Sequence, residues 1–189
     1  MKKILLTFCT IVLALALQAQ EHMAFKGVSM DCNITSFVSQ LKAKGYTVEY
    51  QNEDGVILTG DFAGKSDCYV IVLPTKASKM VWKVVVQFPE KTSWYALKNE
   101  YLSYKESYTE KYGTPTSYEY FRSPYEEGDG YELTALGVDK CSYISFYEIP
   151  EGFISLEINK DKCVQVTYED AINTATKRRE EETSISEDI

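Results

Sequence analysis

Residues 92–115 read TSWYALKNEYLSYKESYTEKYGTP, and what this stretch does decides the fold. Trp94, Leu97, Tyr101, Tyr104, Tyr108 and Tyr112 recur at steps of three or four, the spacing that lines side chains along one face of a helix. Lys98, Glu100, Lys105, Glu106 and Glu110 are left to face solvent. Thr92 or Ser93 supplies the N-terminal cap, and Gly113 followed by Pro115 stops the helix. A stripe this apolar is expected to pack on a sheet. The alternative is that it lines a tyrosine-walled ligand groove.

The flanks supply that sheet. Upstream, Asp31-Cys32-Asn33 offers capping side chains, and Ile34, Phe37, Val38 and Leu41 recur at helical steps until Gly45 closes the helix. Four strand-like runs follow, at 46–50, 56–62, 68–73 and 80–88. Downstream of Pro115 the same rhythm returns at 117–121, 131–138, 141–149, 153–159 and 163–168, with tight turns at 150–152 and 159–162. A short closing helix is expected over 171–179, a flexible acidic tail over 180–189 and a polar lead-in over 20–26. The fold class is α+β: an antiparallel sheet with helices on one face. Residues 20–179 read as a single domain, with 27–91 and 92–179 as candidate pseudo-repeat halves. Asp67-Cys68-Tyr69-Val70-Ile71 echoes Lys140-Cys141-Ser142-Tyr143-Ile144 across them.

The first 19 of the 189 residues are not part of that domain. Lys2 and Lys3, the apolar run from Ile4 to Leu17 and the small residue Ala19 make a removable export signal, too short to span a membrane. The expected location is therefore periplasmic or secreted, with no integral membrane segment after processing. The formal charge is −8, from 20 basic and 28 acidic residues. Removal of Lys2 and Lys3 leaves 18 against 28, or −10. Such a chain has no electrostatic reason to bind nucleic acid.

Export also changes the reading of cysteine. Cys9 leaves with the signal, and the remaining Cys32, Cys68, Cys141 and Cys163 suggest two disulfides. A turn centred on Lys160 and Asp161 would set Cys163 opposite Ile158. That places it at the same end of a three-strand meander as Cys141. The expected pairs are Cys32–Cys68 and Cys141–Cys163, with the crossed pairings left open.

One histidine in the whole chain limits the chemistry more than any other count. His22, expected on a mobile end, is the sole imidazole for triad-type catalysis or histidine-ligated metals, so neither is supported. No glycine-rich phosphate loop sits at a strand-to-helix junction, no cofactor is implied and no metal set is assigned. The acidic stretch Glu126-Glu127-Gly128-Asp129-Gly130 lacks the alternating oxygens of a calcium loop and reads as a solvated loop. A carboxylate pair serving a small hydrolase remains the alternative function, with residues the sequence does not locate.

Fifteen tyrosines exceed what a small core needs. Tyr69, Tyr118, Tyr120, Tyr125, Tyr131, Tyr143 and Tyr147 lie in strands or their loops and are the candidate binding residues, since tyrosine gives large contact area at low entropic cost. Half-buried core positions are an equal reading for them.

Several strings have a familiar look. These are the Lys-Lys signal ending in Gln18-Ala19-Gln20, Phe25-Lys26-Gly27-Val28 ahead of the 37–45 helix, Gly60-Asp61-Phe62-Ala63-Gly64, and Lys111-Tyr112-Gly113-Thr114-Pro115. Together they resemble a family of exported proteins of the Bacteroides group, a resemblance that implies a location and no activity. The helix-plus-four-strand halves are similar in layout to β-lactamase inhibitor proteins and small outer-membrane assembly lipoproteins, which transfers no residue roles. The expected function is a non-enzymatic interaction module binding a protein or glycan through an aromatic sheet face, with an inhibitor or immunity protein as its sharper version.

Overall fold

Alternating burial runs through strand after strand, and it fixes how the layers stack. The structure, a computed structural model, describes residues 21–187; the expected signal segment lies outside them. The elements in chain order are β1 (Ala24–Phe25), β2 (Val28–Ser29), α1 (Ile34–Ala43), β3 (Thr47–Gln51), β4 (Val56–Phe62), β5 (Lys65–Pro74), β6 (Val81–Gln87) and α2 (Trp94–Tyr112). They continue with β7 (Thr116–Phe121), α3 (Glu132–Gly137), β8 (Cys141–Ile149), β9 (Gly152–Ile158), β10 (Val164–Asp170) and α4 (Ala171–Glu187). β1 and β2 form a small hairpin. The other eight strands form one antiparallel sheet in the order β3-β4-β5-β6-β10-β9-β8-β7, so the chain is α+β.

Each four-strand meander follows its own helix, and the two meet where β6 pairs with β10. Under that arrangement β5 is the counterpart of β9, and β4 of β8. The echoed strings around Cys68 and Cys141 fall on β5 and β8, so they are not topological equivalents.

Val56, Leu58, Val70, Val72, Val84, Val86, Val166, Tyr168, Ile154 and Leu156 all point to one side and are buried. α1 covers this face with Phe37, Val38 and Leu41, and α2 with Trp94, Leu97, Tyr101 and Tyr108. Asn33 caps α1 by accepting from Ser36 N, and Ser93 caps α2 by accepting from Ala96 N. Gly113, at φ 88°, occupies the left-handed region where a side chain would be strained. Fully buried side chains such as Tyr101, Phe25 and Phe37 each contribute about 1.5–3 kcal/mol through removal from water.

Four expectations need correction. Residues 131–138 hold a helix, α3, because Ala135 and Leu136 bury on one side of a turn that Asp129 starts by accepting from Tyr131 N at 2.7 Å. The lead-in is no loose arm: Met23 and Phe25 are in the core. The closing helix runs on through Glu187, well past 179. It crosses the ends of β6 and β10, and Glu180 anchors it by accepting from Ala77 N and Ser78 N at 2.7 and 3.0 Å. Glu100, expected in solvent, is 8% exposed and paired with Lys65 and Lys91 at 2.8 and 3.2 Å.

The four cysteines among the described residues, Cys32, Cys68, Cys141 and Cys163, are free thiols. The Cys32 carbonyl accepts from Val81 N, beside Pro74, while Cys68 lies six residues further along β5, about 20 Å at strand rise. Val164 pairs with Ile158, so Cys163 falls opposite Asn159, one residue off the expected register. That slip turns its side chain to the other face from Cys141. Burial raises the Cys141 thiol to about 12 and the Cys163 thiol to about 11, the latter partly offset by its hydrogen bond to Asn159 Oδ1.

Candidate functional site

The alternate residues of the eight strands point away from α1 and α2, and this second face carries the candidate site. One cross-strand row runs Tyr69, Gln87, Gln165, Glu157, Ile144, Tyr118, each residue opposite the next. Its centre is polar. Gln87 Nε2 donates to Gln165 Oε1 at 3.1 Å, and Gln165 Nε2 donates to Glu157 Oε1 at 2.6 Å. Its flanks are aromatic: Tyr69 and Tyr118 are both 51% exposed, and five strand spacings set them about 24 Å apart.

Glu157 is the electrostatic centre of the row. Burial among its neighbours raises its carboxyl above the ordinary value, and the Lys83 ammonium opposes that shift. Glu169 is paired with Lys83 at 2.7 Å, Glu49 accepts from Thr59 at 2.8 Å, and Glu148 stands exposed opposite Phe153. Among the described residues Glu49, Glu148 and Glu157 are in no ion pair, Lys83 being paired with Glu169, so the face is acidic.

Toward the β7 edge the face becomes apolar. Tyr118 meets Phe146 at 6.1 Å between ring centroids in an edge-on arrangement, and Phe146 meets Phe153 at 5.4 Å. With Thr116 and Glu148 these rings wall an open hollow of about 460 Å³.

The seven candidate tyrosines divide. Tyr69, Tyr118 and Tyr120 lie on the open face, Tyr120 stacking under Arg122. Tyr131 is exposed at the start of α3, and Tyr125 is half-buried against the core. Tyr143 and Tyr147 are corrections: at 5% and 2% exposure they sit beneath α2, where Tyr143 donates to Glu127 and Tyr147 donates to the Lys105 carbonyl. Glu127 is thus held by Tyr143 and Lys98 instead of being free in a solvated loop, and Lys98 draws its carboxyl below the ordinary value. Sequence reasoning missed Gln87, Phe146, Phe153, Glu157 and Gln165. The signal for them was parity along β8 and β9, hidden because both parities of β8 are apolar or aromatic.

His22, expected on a mobile end, lies between two carboxylates, Nδ1 3.2 Å from Asp170 and Nε2 3.4 Å from Asp31. Asp170 is fully buried and also accepts from Met23 N and Asn173 N, which makes the cluster a staple between the N-terminal hairpin and α4. Among the described residues no group of three or more His, Cys, Asp or Glu stands placed to hold a metal ion, and no helix is long and apolar enough to cross a membrane. Comparisons with protein families, with curated proteins and with solved structures find no match to this chain.

Proposed function

We propose that the protein is an exported, non-enzymatic interaction module whose open sheet face binds a basic protein surface, in the manner of an inhibitor or immunity protein. One observation carries this reading: an eight-stranded sheet leaves a whole face uncovered by α1 and α2, with tyrosines at both flanks and an acidic centre. Tyrosine is among the residues in which the binding energy of protein interfaces concentrates. Unspent carboxylates on the same face favour a lysine- or arginine-bearing partner and speed its approach at low salt.

The test is capture from periplasmic extract by the immobilised protein at low salt, run beside a Tyr69→Ala/Tyr118→Ala variant. Both tyrosines are half exposed, so the variant keeps its core. A partner retained by the parent, released by salt and weakened about tenfold or more by the variant supports the reading. Equal retention by the variant refutes it, as does capture of glycan alone or turnover of a substrate by the purified protein.

A further inference from the structure

A second hollow lies on the other side of the sheet, where the turn between β1 and β2 meets the last two turns of α2. It measures about 480 Å³, within the range of small-molecule sites. Phe62, Tyr108, Tyr112 and Tyr168 supply aromatic walls, and Lys26 and Lys111 stand at its rim. In a chain of net charge −8, none of its lining residues is a carboxylate, and neither lysine is in an ion pair among the described residues. A third ammonium, that of Lys44, stands 4.0 Å from the place a Cβ on Gly27 would occupy.

The walls contain an unused donor. The hydroxyls of Tyr108 and Tyr168 are hydrogen-bonded to each other. Two phenols in one such bond hold two protons and use one; the accepting phenol's own proton has no acceptor among the described residues. Both rings are more than nine-tenths buried, so a donor left over here is costly unless something in the hollow takes it. Burial pushes both phenols above the ordinary tyrosine range, which keeps the protons on them. The C-terminal end of α2 opposes an anion with about half a charge, against at least two whole ammonium charges at the rim.

We propose that this hollow binds a small organic acid with an apolar body. The ring system or chain lies against Phe62, Tyr112 and Tyr168, an acid oxygen accepts the spare phenol proton, and Lys26 and Lys111 neutralise the anionic group.

The probe is 1-anilinonaphthalene-8-sulfonate, followed by its fluorescence with the full exported chain, and 4-phenylbutyrate as the competitor. The expected result is saturable one-site binding that 4-phenylbutyrate displaces. Lys26→Glu/Lys111→Glu weakens it by about tenfold or more, and Tyr108→Phe/Tyr168→Phe by about threefold to tenfold. The open-face variant Tyr69→Ala/Tyr118→Ala leaves it unchanged, which keeps this site separate from the proposed interface. Lys26→Gln/Lys111→Gln is the milder substitute should the charge reversal disturb folding. No saturable binding of either acid up to about 1 mM overturns the proposal, as does binding that the lysine variants leave intact or that the open-face variant abolishes.

Discussion

Replacing Asp170 by alanine tests whether the N-terminal hairpin and α4 are held by one carboxylate. Asp170 is completely buried and accepts from Met23 N and Asn173 N, each at 2.7 Å. The second bond is the N-terminal cap of α4, worth about 1 kcal/mol. Losing the first leaves a buried backbone N–H without an acceptor, at about 1–3 kcal/mol. The amide of Asn173, which bridges the Met30 and Val81 carbonyls at 2.9 and 2.8 Å, is positioned by the same first turn. The expected total is about 3 kcal/mol, before any contribution from His22. With a urea slope of about 2 kcal/mol per M, the unfolding midpoint falls by about 1.5 M. Asp170→Asn keeps one acceptor oxygen and turns an amide N–H toward the other donor, so its loss is smaller but clear. Asp161→Ala, on an exposed turn, is the control and shifts the midpoint by less than about 0.3 M. An Asp170→Ala midpoint within that same margin would refute the staple, since water or a neighbour would then be satisfying both amides.

Two further outcomes follow from burial. Glu157 has its folded pKa raised above the ordinary 4.5, so ionising it opposes the fold; the stability present below pH 4.5 is lost as pH rises through the raised value. Glu157→Gln therefore raises the urea midpoint at pH 7 and gives no gain at pH 4, and a gain equal at both pH values would contradict this. The protein without its first 19 residues, unfolded in guanidinium without reductant, releases four alkylatable thiols; in its folded state Cys141 and Cys163 react slowly at pH 8, because burial holds both thiols protonated. Mass spectrometry that finds a bridged peptide would overturn the free-thiol assignment.

α1 and α2 were legible because their signals are local, whereas α3 was read as a strand and α4 as ending at 179. Asn33 and Ser93 cap within four residues, and the α2 stripe repeats often enough that no other period fits. The sheet was legible as strands but not as faces. In β8, Cys141, Tyr143, Ser145 and Tyr147 share one parity and Ser142, Ile144, Phe146 and Glu148 the other, so composition does not say which side is covered. Only α2 decides it, by laying Tyr101 on the first set, with Ser145 Oγ 2.6 Å from its hydroxyl. The cysteine pairing failed for a related reason. A turn one residue longer than expected moved Cys163 from Ile158 to Asn159, and a one-residue slip reverses the face of a side chain. Glu100 was misread because helical spacing alone does not reveal that Lys65 and Lys91, from two other segments, converge on it.

That same parity separates the two proposed surfaces. β10 sits at the middle of the sheet, and its Thr167 and Glu169 belong to the open face while Tyr168 between them walls the hollow beneath α2. Neighbouring residues of one strand thus serve opposite sides, without sharing a side chain. The open face is acidic, which suits the proposed cationic partner; the hollow's rim is basic, which suits the proposed anion. Salt weakens both, so ionic strength alone cannot assign a ligand to either. Substitution can, because Tyr69 and Tyr118 lie on one side of the sheet and Lys26 and Lys111 border the hollow on the other. A macromolecule on the open face and a small acid in the hollow approach from opposite directions and have no steric reason to compete.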